Sequence, residues 1–317
     1  MANKKSIMAI SALLILFFHF WVSVFRGNET ELFLRQIAAV GVDMFFFVSA
    51  YSLGKNHIEK YGSFVFSRFQ AVYLKFILFA IVAFVCAKWN FARLLRVIFA
   101  VELFQKGGGA FLWFLPAIML IYVIFPLFQL LDNKNRKVTC VFSFLIWLVG
   151  GYVFTKIIVH RAIFIVWNRI PVFLLGYYLS AYDFLGRLSK KKWEKGMVGI
   201  AFCIVGGIFA YFFAFKSKLQ TPFIDMFFVM LIPLCIGLVI LADMIPDGRI
   251  VRWIGSSTLE IYAVQMIFGY RWMNEIIRAV KPRFLVNIIT FALILTVAVV
   301  IHYSYSTIAK QTATRDK

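Results

Sequence analysis

The chain has 317 residues, of which 62% are hydrophobic and only 15% charged. That composition excludes a soluble domain of this size and places the chain among integral membrane proteins. Lys and Arg outnumber Asp and Glu by 34 to 14, giving a formal net charge of +20; in a membrane chain, orientation and anionic lipid account for such an excess before nucleic acid does.

The first apolar run, Ser6 to Val24, has spanning length and carries His19 as its one ionisable group. No small-residue cleavage site follows, so the run reads as a retained helix and not a removed signal peptide. An imidazole at that depth faces a protein interior or a wet cavity. Two readings are open: a proton-handling group on a cavity, or a hydrogen-bonded packing residue with no chemistry.

Further apolar runs fall at about 33–53, 70–87, 111–131, 138–157, 162–184, 197–215, 222–242, 258–276 and 284–306. With the first they predict about ten spans, hence an all-α polytopic membrane bundle. The chain reads as a single integral-membrane domain over 1–317, with a short polar tail from about 307. Basic residues between spans, above all SKKKWEK at 189–195, place both termini on the cytoplasmic side, although the basic outer loop 271–283 runs against the bias. Asn28-Glu29-Thr30 fits a glycosylation pattern in the first outer loop.

Within this frame several stretches carry polar groups. Asp43 sits inside the second run, where a carboxyl is either neutral or paired. The connection from Lys55 to Arg68 is basic, as an inside anchor or as a platform for a phosphorylated ligand. Asn90 to Lys106, with Arg93, Arg96, Glu102 and Lys106 among apolar residues, predicts an amphipathic helix in the interface. Gly107-Gly108-Gly109 lacks the GK[ST] of a phosphate loop and reads as a hinge ahead of Trp113. Arg169 opens the sixth run, and Glu260, Tyr262 and Gln265 lie in the ninth. Singly, each fits packing or interface anchoring. Cys86, Cys140, Cys203 and Cys235 are scattered with no CxxC or Cys/His cluster, so no metal site or disulfide framework is predicted.

Taken in order, the helix ending in His19, GVDMFFFVSAYSL at 41–53, FLWFLPAIMLIY at 111–122, RIPVFLLGYYL at 169–179 and STLEIYAVQ at 257–265 resemble the acyltransferase-3 family. This family of multi-pass membrane acyltransferases includes bacterial O-antigen and peptidoglycan O-acetyltransferases. The resemblance implies transfer of an acetyl or other short acyl group from cytoplasmic acyl-CoA to a hydroxyl of a cell-surface polysaccharide or its lipid-linked precursor. It further implies a bacterial plasma membrane, polysaccharide-synthesis proteins as possible partners, and acyl-CoA as co-substrate, with no bound cofactor and no nucleic acid.

By the same resemblance His19 is the general base, a role that suits an imidazole whose ordinary pKa lies near operating pH. Asp43 is an orienting group, Arg68 and Lys5 receive the donor phosphates, and Trp113, Arg169, Tyr262 and Gln265 line the acceptor side. The chain departs from the family pattern at Met8, where an arginine is usual eleven residues before the histidine, and at Ala50, Ala71, Leu74 and Gln265, the last in place of histidine. Two competing classes are a proton-coupled carrier or flippase using His19 and Asp43, and a non-catalytic scaffold in polysaccharide synthesis.

Overall fold

The computed structural model describes residues 3–25, 28–56, 58–157, 163–188, 191–216 and 226–315. Ser189 and Lys190 of the basic 189–195 stretch, and the start of the eighth expected span, lie outside them. The described residues contain helices and turns and no strand.

The chain begins with α1 (Lys4–Phe20), α2 (Glu29–Ile37) and α3 (Val40–Gly54). Next, α4 (Tyr61–Arg68) runs through a π turn at Phe69–Tyr73 into α5 (Leu74–Cys86). Two short helices follow, α6 (Phe91–Ile98) and α7 (Val101–Lys106), then α8 (Phe114–Lys134), α9 (Arg136–Ile157), α10 (Phe164–Trp167), α11 (Ile170–Ala181) and α12 (Phe184–Arg187). The last third comprises α13 (Lys192–Phe209), α14 (Met226–Asp243), α15 (Arg249–Ser256), α16 (Thr258–Val264), α17 (Tyr270–Ala279) and α18 (Arg283–Arg315).

Seven helices among the described residues are long and apolar enough to cross a bilayer, against about ten expected. The other three expected spans coincide with shorter apolar stretches. α1 has 17 residues, and α14 offers only Phe228–Asp243 as its apolar length. The ninth run is divided by a π turn at Gln265–Gly269, beyond which α17 carries Arg271, Glu275 and Arg278. At the C-terminus α18 continues helical to Arg315, past the expected start of a polar tail.

Two local expectations are corrected and one is refined. α1 stops at Phe20, not Val24, because Trp21 turns extended (ψ 112°); His19 therefore lies in a last turn, not mid-span. The second run holds as one candidate span, Glu29–Gly54, but carries a turn at Ala38 and Ala39 between α2 and α3. The interfacial segment is likewise two helices, because Ala100 takes a left-handed conformation (φ 59°) that an α-helix cannot continue through. The reversal brings Arg93 of α6 and Lys106 of α7 onto one buried carboxylate, Glu102, at 3.3 and 2.5 Å.

α3 is the central helix, packed against α1, α11 and α14. Two glycines permit this. A Cβ on Gly41 would lie 2.5 Å from the Ser11 carbonyl oxygen of α1, and one on Gly176 of α11 would lie 2.5 Å from the Phe47 carbonyl oxygen. Outward faces are apolar and exposed, for example Val141, Ile146 and Val149 of α9 and Ile200, Ile204 and Ile208 of α13, as lipid-facing surfaces require.

Candidate functional site

Helical spacing assembles one cavity mainly from four stretches of the chain. On α1, Met8, Ala12, Ile15 and His19 face it, a set at i, i+4, i+7 and i+11 that shares one side of a helix. α3 contributes Val42, Phe45 and Ser49 at i, i+3 and i+7. Trp113, Phe114, Ile118 and Tyr122 form a third wall, and Thr258, Leu259, Ile261, Tyr262 and Gln265 the fourth. The cavity holds about 170 Å³ and is lined mostly by apolar side chains, with His19, Ser49, Tyr122, Tyr262 and Gln265 as its convergent polar groups.

His19 makes no hydrogen bond through its imidazole to any described residue; its ring neighbours are Phe18 and Phe20, at centroid distances of 4.9 and 6.2 Å. Gln265, which lines the same cavity, is almost fully buried, and its Oε1 has no partner among the described residues. A buried acceptor without a partner is costly, and this one lines the cavity that His19 faces.

Four of the sequence-predicted site residues thus meet: His19, Trp113, Tyr262 and Gln265. Asp43 and Arg169 do not line the cavity. They pair with each other between α3 and the start of α11, Arg169 Nε lying 3.4 Å from Asp43 Oδ1. The guanidinium also stacks on Phe228 at 3.9 Å and on Trp113 at 5.3 Å, so it reaches the cavity only through the Trp113 wall. Arg169 additionally donates from Nη1 to the Ile165 carbonyl at 2.9 Å.

Arg68 lies beside the cavity, its guanidinium 5.2 Å from the Phe64 ring and 5.4 Å from the ring of Tyr122. On its other side is a second, more open recess lined by Asn56, Lys60, Ser63 and Arg68. The wall of that recess is fixed by Gln129, which accepts from Ile58 N and donates to the Asn56 carbonyl, both at 2.9 Å. Lys5 is exposed, and its backbone packs on Gly255. Its neighbour Lys4, one turn below Met8, reaches Ser52 at 3.1 Å and is within electrostatic reach of Arg68.

Phe45 and Ser49 were not predicted as site residues; their i+3 and i+7 spacing from Val42 is the signal that places them on the cavity face. A further cluster went unread: Glu260, buried on the face of α16 away from the cavity, receives Lys75 of α5 at 2.9 Å and lies 3.2 Å from His302 Nδ1 of α18.

A family model described as an acyltransferase domain, that of the acyltransferase-3 family, matches residues 8–303. No curated protein matches the chain, and no solved structure does. The matched span begins at Met8 on the cavity-facing side of α1 and ends at Tyr303 in α18, so it contains every cavity residue named above. The chain is an integral membrane protein that belongs to the acyltransferase-3 family.

Proposed function

We propose that this protein transfers an acetyl or other short acyl group from cytoplasmic acyl-CoA to a hydroxyl of a cell-surface polysaccharide or its lipid-linked precursor, with His19 as general base, in a bacterial plasma membrane. The observation that carries this reading is the placement of His19: a cavity-facing imidazole with no hydrogen bond among the described residues, in a cavity that Tyr262 and Gln265 also line. A base held by another residue would have to break that bond first; His19 is available to an incoming hydroxyl.

In this reading the neutral imidazole takes the proton of the acceptor hydroxyl as its oxygen attacks the thioester carbonyl. The carbon–sulfur bond breaks, the CoA thiolate leaves and the proton held on His19 returns to sulfur. Tyr262 and Gln265 are the hydrogen-bonding groups available to the acceptor or to the oxyanion of the tetrahedral intermediate. Lys4 and Arg68, at the opposite end of the α1 face, receive the donor phosphates. From Met8 to His19 the face runs eleven residues, roughly 16 Å at the helical rise, a distance the extended arm of the donor bridges. Asp43 and Arg169 stiffen the wall behind Trp113 and do not touch substrate. The chain's two termini lie on the donor side.

The reading is tested by incubating membrane vesicles with radiolabelled acetyl-CoA and isolating the envelope glycan. Label enters the glycan with the wild-type chain and not with His19→Ala; equal labelling by both contradicts it.

A further inference from the structure

His19 occupies the last turn of α1, and no described residue holds its ring. Its position is therefore set by the backbone around it. Helix ends leave four carbonyls without intrahelical partners and fray readily, so a base in a last turn is poorly placed unless something fixes the chain beyond it. Here that fixing is dense. Glu31 of α2 accepts four hydrogen bonds from the segment just after His19: Trp21 Nε1 at 2.6 Å and Val24 N at 2.7 Å on Oε1, Ser23 Oγ at 2.7 Å and Phe25 N at 3.0 Å on Oε2.

The opposite side of the same segment is held by α18. Asn287, itself buried, accepts from Val22 N at 2.8 Å and donates to the Val22 carbonyl at 2.9 Å. Arg283 donates to the Ser23 carbonyl at 2.8 Å. Arg35, also of α2, takes the Phe18 carbonyl at 3.0 Å, one residue before His19. Two helices that contribute nothing to the cavity lining thus grip the chain on both sides of the base. Sugar binding is the rival use of the recess around Trp21, Ser23 and Glu31, but those polar groups are already bonded to one another.

We infer that Glu31 is a positioning residue for His19, acting through the 21–25 segment with Asn287 as its counterpart, and that it sets the turnover step without touching donor or acceptor. This rests on His19 being the base. Turnover is sensitive to base placement, since a displacement of about 1 Å costs on the order of a hundredfold in rate. Donor binding is remote from this end of α1 and is left alone.

The test uses the full-length chain in detergent or vesicles, with acetyl-CoA as donor and total envelope glycan as acceptor, and reads kcat and KM for the donor separately. Glu31→Ala lowers kcat on the order of a hundredfold and Glu31→Gln, which keeps one acceptor oxygen, about tenfold, with the donor KM within about twofold of wild type. Ser6→Ala, at the other end of the same helix where Ser6 Oγ bonds Asp247 and the Ile245 carbonyl at 2.7 Å, is the stability control and keeps its kcat. If Glu31→Ala does not fold, Glu31→Gln against Ser6→Ala decides. Unchanged kcat in the Glu31 variants, or a loss matched by Ser6→Ala at equal thermal destabilisation, overturns the inference alone. Full activity in His19→Ala overturns the base reading and the inference with it.

Discussion

Asp43 and Arg169, 126 residues apart in the chain, meet inside the bundle with Nε and Oδ1 3.4 Å apart and side chains only 2–3% exposed. Desolvating two such charges costs several kcal/mol each unless they compensate one another, so removing one partner is far worse than removing both. Asp43→Asn or Arg169→Gln alone is therefore expected to destabilise by about 3–5 kcal/mol, and the two combined by clearly less. Thermal melts of detergent-solubilised protein for the two singles and the double check this; equal losses in single and double variants contradict a direct pair.

The Lys75–Glu260–His302 cluster joins α5 to α16, which carries Tyr262, and to α18. Glu260 is only 4% exposed in its side chain, so solvent screens its contacts little. A double-mutant cycle on Lys75→Met and Glu260→Met is expected to return a coupling of about 1–3 kcal/mol. Additive losses would show that Lys75 and Glu260 act independently.

Glu102 lies outside the spanning segments and supplies a pH dependence. Burial pushes its carboxyl up, but the bond from Lys106, the Phe111 amide and the Arg93 charge outweigh that and hold it below the usual glutamate range. A carboxylate lowered on folding stabilises fully above its unfolded pKa of about 4.3, and the contribution disappears as pH falls through the lower folded value. Glu102→Gln should lower the melting temperature near about pH 7 and do so progressively less as pH falls below about 4.3. A shift of the same size at every pH would show that the ion pairs contribute nothing.

Lys4 and Arg68 lie near each other at the Met8 end of α1, and neither has a carboxylate partner in an ion pair among the described residues. In the proposed reaction they meet the donor phosphates, so Lys4→Gln raises the KM for acyl-CoA about tenfold with kcat nearly unchanged, the pattern of lost uniform binding. Initial rates against acetyl-CoA concentration give both constants. A fall in kcat at constant KM would move Lys4 out of the donor site.

The membrane class, the helices and half of the candidate site were legible because each depends on local pattern. Met8 and His19 share a helix face by spacing alone, and Trp113, Tyr262 and Gln265 lie in stretches that already resembled a family. The end of α1 at Phe20 was not legible, because the apolar run continues to Val24 and the helix is stopped by Glu31 and Asn287 from other helices. Nor was the Asp43–Arg169 pair: each residue alone was consistent with a site, and only packing of α3 against α11 turns them towards each other. Ala100 misled for a different reason, since alanine is the best helix former and its left-handed backbone is imposed by the fold that brings Glu102 to Arg93 and Lys106.

The most direct test of the account is free CoA released from acetyl-CoA by membranes carrying wild type or His19→Ala at matched expression, with and without envelope glycan. Acceptor-dependent release by wild type is expected to fall by at least about a hundredfold in the variant, the lower end of the range for loss of a general base. Equal acceptor-dependent release by the two proteins would contradict His19 as the base.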